Sequence, residues 1–188
     1  MLAGDEAVVT GLAIDELDVI APGAFAARVA TLFEGARGFL GRLAMARPFG
    51  TTDAIFATAR TIAHGMPEDE QIELIDAHPR LGAPPGSVSA LSYVEQGYAA
   101  DAAQQAADAE AAHVAAELGR LNAAYEHRFG FRYCVFVAGR PRAALLPGME
   151  GALDADRDAE IHRALDAVID IAQARYATLT ARRVEDAS

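Results

Sequence analysis

The chain has 188 residues, enough for one domain of ordinary size, and 52% of them are hydrophobic, which excludes wholesale disorder. Sixteen Lys and Arg against 27 Asp and Glu leave a net charge of −11, which argues against a phosphate backbone or an anionic membrane surface as partner. The single cysteine, Cys134, permits neither an internal disulfide nor a cysteine-based zinc site, and fits a reducing compartment.

Alanine is abundant and β-branched runs are short, so helix is expected over most of the length. Residues 1–21 read as an N-terminal extension, with a strand fragment or a short helix left open. They lack the basic start and apolar run of a signal peptide. Pro22 suits a first helical turn, and Phe25, Val29, Leu32 and Phe33 follow at helical spacing up to Gly35. A second short helix ends near Ala46, before Arg47-Pro48-Phe49. Asp53 is the expected cap of a third, which stops at His64-Gly65. Pro67-Glu68-Asp69-Glu70 opens a fourth, with early acids at the positive end of the helix dipole. It carries Ile72, Leu74 and Ile75 and ends near His78, because Pro79 follows.

Residues 82–89 are a loop by composition. An Ala-rich helix or helix pair is expected from about Leu91 to His127. The run Phe129 to Ala138 has strand character but no obvious partner, and is read as extended, buried and outside any sheet. Residues 141–152 form a short helix and 156–181 a long one. The expectation is one all-α domain over residues 1–188, with about seven to nine helices and one short extended segment. No stretch approaches about eighteen uninterrupted apolar residues, so no membrane span is expected.

The sequence holds five histidines and no His-Glu-x-x-His pattern, P-loop, Gly-x-Gly-x-x-Gly or Gly-x-Ser-x-Gly motif, so neither a metal nor a nucleotide cofactor is expected. His78 stands apart, because it falls where an apolar helix is cut off ahead of a Pro/Gly loop. Two readings are open: a helix C-terminal cap, or a side chain turned into a pocket. Ser92-x-x-Glu95-Gln96 follows, and again two readings are open. Ser-x-x-Glu is the capping box of a helix start. A carboxylate beside an imidazole also sets its tautomer and raises its pKa, which makes a general acid or base near neutrality.

These motifs resemble those of the 2-oxo-4-hydroxy-4-carboxy-5-ureidoimidazoline (OHCU) decarboxylase family, from about Phe25 to Tyr176. The likeness includes Phe33-Glu34-Gly35, Arg47-Pro48-Phe49, Ala77-His78-Pro79-Arg80-Leu81-Gly82 and Leu91-Ser92-x-x-Glu95-Gln96. It continues with Leu121-Asn122-x-x-Tyr125-x-x-x-Phe129-Gly130-Phe131, Gly139-Arg140, Glu160 and Ile171-Ala172-x-x-Arg175. The resemblance implies an all-α homodimer that needs no cofactor, takes a small anionic substrate and forms (S)-allantoin in urate breakdown. It implies catalysis by His78 and Glu95, with substrate contacts from Pro79, Ser92, Gln96, Phe131, Val135 and Val137. A cytoplasmic location, with no nucleic acid or membrane partner, completes the expectation.

The chain departs from the family pattern at two places, one of them a Pro84-Pro85-Gly86 loop shorter than the family's usual one. Before the last long helix the family carries Arg-(Leu/Tyr)-x-Asn, whose arginine binds substrate, and the aligned positions here are Ala152 and Ala155. Arg140 and Arg157 are the candidate anion-binding replacements. The departure keeps two alternatives in view: a non-catalytic helical relative that binds purine metabolites, or an enzyme acting on a related ureido acid.

Overall fold

The computed structural model describes residues 12–83 and 108–186, as eight α-helices, two 3-10 turns and no strand among those residues. The chain is all-α. The helices are α1 (Ile14–Val19), α2 (Pro22–Val29), α3 (Arg37–Met45), α4 (Thr52–Gly65), α5 (Glu68–Asp76), α6 (Asp108–Phe129), α7 (Leu146–Ala152) and α8 (Arg157–Asp186). Contacts group the chain into two compact units, residues 1–77 with 168–188, and residues 78–167.

In the first unit, the periodic run from Pro22 tightens into a 3-10 turn at Ala30–Phe33 instead of continuing as one helix. The turn closes because Glu34 (φ 49°) and Gly35 (φ 77°) both enter the left-handed region, and the Gly35 amide donates to the Ala30 carbonyl. Arg175 on α8 reaches into this turn. Its Nη1 donates to the carbonyls of Thr31 (2.9 Å) and Leu32 (3.3 Å), and its Nη2 pairs with Glu34 Oε1 (2.8 Å). The Arg175 side chain is 1% exposed, so its charge relies on these partners. Arg175→Met leaves the Glu34 carboxylate without its guanidinium, and is expected to cost about 3 kcal/mol by chemical denaturation. A loss within experimental error of zero contradicts that role.

Helix α4 is capped by Thr51, whose side-chain oxygen accepts from the Ala54 amide at 3.1 Å. Asp53, the cap expected from sequence, lies in the first turn. The acid still favours the helix start through the dipole, but the extended backbone of Thr51 fits the cap position. Pro67 is likewise the residue before α5 and not part of it. Within residues 1–21, α1 settles Ile14–Val19 as helix. Asp18 accepts from the amides of Phe49 and Gly50, and Arg47 donates to the carbonyls of Leu17 and Ile20, so the Arg-Pro-Phe loop is tied to α1.

In the second unit, α6 ends at Gly130 (φ 81°), whose amide donates back to Glu126. Residues 132–137 then run without helix or strand, as the sequence predicts. Phe129, Phe131 and Tyr133 surround Tyr125, with ring centroids 4.5 to 5.6 Å from it. A turn follows with Ala138 (φ 52°) and Gly139 (φ 72°) at its centre, closed by the Arg140 amide on the Val137 carbonyl. The expected helix over 141–152 is a 3-10 turn, Arg142–Leu145, leading into α7. The long helix starts at Arg157, with Asp156 Oδ1 accepting from the Asp158 and Ala159 amides.

Candidate functional site

The His-Pro turn opens the second unit. Helix α5 stops at Asp76, Pro79 forbids continuation, and His78 is left just past the end. His78 is 5% exposed, so its imidazole is a buried polar group, and Pro79 beside it is half-buried.

One stripe of α6 holds the turn. Leu118, Asn122 and Glu126 are spaced by four residues and share a helix face. Asn122 Nδ2 donates to the Leu81 carbonyl at 2.9 Å. Arg80 grips Glu126 with Nε on Oε1 (2.5 Å) and Nη2 on Oε2 (2.7 Å). Gly82 (φ 77°) passes so close to Leu118 that a Cβ there would sit 3.0 Å from Leu118 Cδ1. A side chain at position 82 would meet both a left-handed backbone and this contact. From the other side Arg132 Nη1 donates to the His78 carbonyl at 3.0 Å. The backbone that bears the imidazole is therefore fixed at residues 78, 80, 81 and 82.

Among the described residues the extended segment has no neighbouring strand to satisfy its carbonyls, and arginines bond several of them. Arg157 Nε donates to Phe129 O (3.0 Å), and Arg163 Nη1 to Cys134 O (2.9 Å). Arg140 donates to Phe136 O (2.6 Å) and Val137 O (2.9 Å). Arg140 and Arg157, the candidate anion-binding cations, thus hold main chain. Phe131 and Val137 are buried and Val135 is half-buried. The Phe131 ring packs edge-on to Tyr125, with centroids 5.6 Å apart.

Beneath this segment lies a network that the sequence did not reveal as such. Glu160 is buried; it accepts the Tyr125 hydroxyl (2.8 Å) and Arg163 Nε (2.9 and 3.0 Å). Burial, then the Glu160 carboxylate, pushes the Tyr125 hydroxyl well above the usual tyrosine range, so it stays protonated and donates. Burial works against the Arg163 charge, but Glu160 outweighs it and holds the guanidinium above its ordinary value. A cavity of about 950 Å³ in the first unit, lined by Gly38, Gly41, Arg42, Met45 and Glu70 among others, contains none of the expected site residues. Ser92, Glu95 and Gln96 lie outside the described residues.

Comparison with known proteins gives this arrangement its context. The family model for OHCU decarboxylase matches residues 19–177. The chain is 28% identical over 138 residues to the 2-oxo-4-hydroxy-4-carboxy-5-ureidoimidazoline decarboxylase of Haloferax volcanii, covering 72% of this chain and 77% of that one. It is 27% identical over 155 residues to the uric acid degradation bifunctional protein PucL of Bacillus subtilis, covering 82% of this chain but 30% of PucL. In fold it is similar to the crystal structure of an OHCU decarboxylase in the presence of (S)-allantoin, with TM-score 0.61, 21% identity, and coverage of 80% of this chain and 94% of the other. It is also similar in fold to an (S)-allantoin synthase, with TM-score 0.62, 17% identity, and coverage of 89% and 54%.

These matches define the class as an all-α carboxy-lyase of urate degradation. The chain belongs to the OHCU decarboxylase family.

Proposed function

We propose that His78 and Glu95 form the proton-transfer pair of the decarboxylation, with the ring of the substrate held by Ser92, Gln96 and the 131–137 segment. The observation that carries this reading is the buried His78 on a turn pinned by Asn122, Glu126 and Arg132. A general acid or base works only when it is held in one place, and this backbone is held.

The substrate bears a carboxylate and a hydroxyl on one ring carbon, with a C=N bond on the next. As the C–CO₂ bond breaks, its electron pair forms a C=C bond, and the C=N pair moves onto nitrogen, which takes up a proton. His78 removes the proton of the hydroxyl, and a carbonyl results as the neighbouring carbon is protonated. Protonation from one face gives (S)-allantoin. The electron sink belongs to the substrate, so the protein's part is to bind, desolvate and move protons.

A double-mutant cycle tests the pairing. His78→Asn and Glu95→Gln are each expected to lower kcat, and the double variant to lose no more than the worse single one, because two residues acting as a unit are not additive. Multiplicative losses would mean that the two act separately.

We also read residues 1–188 as one functional domain, working as a cytoplasmic homodimer. The family match across residues 19–177 spans both units and supports the first point. The homodimer and its location rest on the family resemblance. Among the described residues no helix is long and apolar enough to cross a membrane.

A further inference from the structure

We infer that Arg163 is a positioning residue for the substrate: it fixes the 131–137 segment against α8 and so sets how tightly the ring is held. The inference rests on the reading of that segment as a part of the site that holds the ring.

The segment lies beside no strand among the described residues, so side chains fix its place. The arginines on it differ in reach. Arg140 bonds the carbonyls of Val137 and Phe136, three and four residues earlier, so it shapes the turn after the segment and moves with it. Arg157 bonds Phe129, ahead of the segment. Arg163 lies on α8, and its Nη1 donates at 2.9 Å to the carbonyl of Cys134, 29 residues earlier. Its guanidinium carbon also lies 4.7 Å from the centroid of the Tyr133 ring. One side chain thus meets two consecutive residues in the middle of the segment, one through its ring and one through its backbone.

The guanidinium is itself held. Glu160, one turn earlier on α8, accepts Arg163 Nε at 2.9 and 3.0 Å, and accepts the Tyr125 hydroxyl of α6 at 2.8 Å. A planar fork can face a carboxylate with one branch and a carbonyl with another. A wall of the site that is fixed before the ligand arrives spends no binding energy on being ordered. Arg163 acts on affinity by this route.

Arg163→Lys separates the two jobs of the side chain. The ammonium keeps a cation beside Glu160 but is a single point charge, and the Cys134 carbonyl loses the second branch of the fork. Cys134 is the single cysteine and is buried in the segment, so its labelling by an aromatic disulfide reads the segment with no ligand present. In Arg163→Lys this labelling is expected to be faster by on the order of 10-fold, the worth of one hydrogen bond to a charged group. Its KM, and its Kd for (S)-allantoin by calorimetry, are expected to rise on the order of 10-fold, with a smaller fall in kcat. Arg175→Met, which loses an ion pair in the first unit, is the control and is expected to keep the KM and Kd of the parent. Labelling at the parent's rate, an unchanged Kd in Arg163→Lys, or an equal rise in Arg175→Met overturns the inference. Protection of Cys134 by (S)-allantoin in the parent tests the underlying reading. If the ligand binds and labelling is not slowed, the segment does not hold the ring. If labelling is slowed and Arg163→Lys binds as the parent does, the role of Arg163 alone fails.

Discussion

His78→Ala is expected to lower the rate of (S)-allantoin formation by about 10² to 10⁴, the usual worth of a positioned proton-transfer group. On the proposed roles the loss is expected to fall on kcat, because the groups proposed to hold the ring are unchanged. His78 is buried, so its truncation also leaves a small cavity. His78→Asn retains most of the volume and a hydrogen-bonding end, and separates the two effects. Both variants are expected to melt as cooperatively as the parent and to lose similar activity. If His78→Asn is fully active while folded, the imidazole is not the acid or base, and the turn serves only packing.

The second large effect is on stability. Glu160→Ala removes the common acceptor of the Tyr125 hydroxyl and the Arg163 guanidinium. The buried Tyr125 hydroxyl then loses its acceptor, and the partly buried Arg163 guanidinium its carboxylate. Breaking a buried charge pair on one side costs about 3 to 5 kcal/mol, and the lower figure is expected because the Arg163 side chain is 34% exposed. Glu160→Gln keeps an acceptor of the same shape and is expected to lose less. Urea denaturation of the three proteins measures this ordering. Arg163 also holds the Cys134 carbonyl and lies 4.7 Å from the Tyr133 ring centroid, so loss of its partner loosens the extended segment as well. An Ala variant as stable as the parent contradicts the role assigned to the network.

Much of the helical outline is legible in the sequence, because it rests on local signals. Pro79 stops α5 wherever it lies, and the acids at 68–70 mark its start. The extended run at 131–137 is visible as β-prone residues with no second run to pair with. The split of the first periodic run at Ala30 is not legible, because it needs the left-handed Glu34 that Arg175 holds from 141 residues away. The cap of α4 turns on backbone shape, and composition alone does not rank Thr51 above Asp53.

The same division runs through the site. His78 is marked by the helix break, and its proposed function comes from the resemblance of its motif to the family's. The stripe Leu118, Asn122, Glu126 on α6 was available as a pattern with period four, but nothing local says what it holds. Its meaning comes from Leu81, Arg80 and Gly82, which lie 36 to 46 residues earlier. Arg140 and Arg157 are the candidates for anion binding because alanine stands at the position of the family's arginine. In the fold both also donate to main-chain carbonyls, of Phe136, Val137 and Phe129, which the sequence does not show.

On the proposed function, this chain carries out a decarboxylation through His78. The most direct test is a coupled reaction in which urate is oxidised and hydrolysed enzymatically, and the protein is then added while circular dichroism is followed. A rapid rise of the (S)-allantoin signal, lacking in His78→Ala, is expected, whereas the spontaneous route gives racemic product and no lasting signal. A folded parent protein that does not exceed the spontaneous rate would contradict the proposed activity.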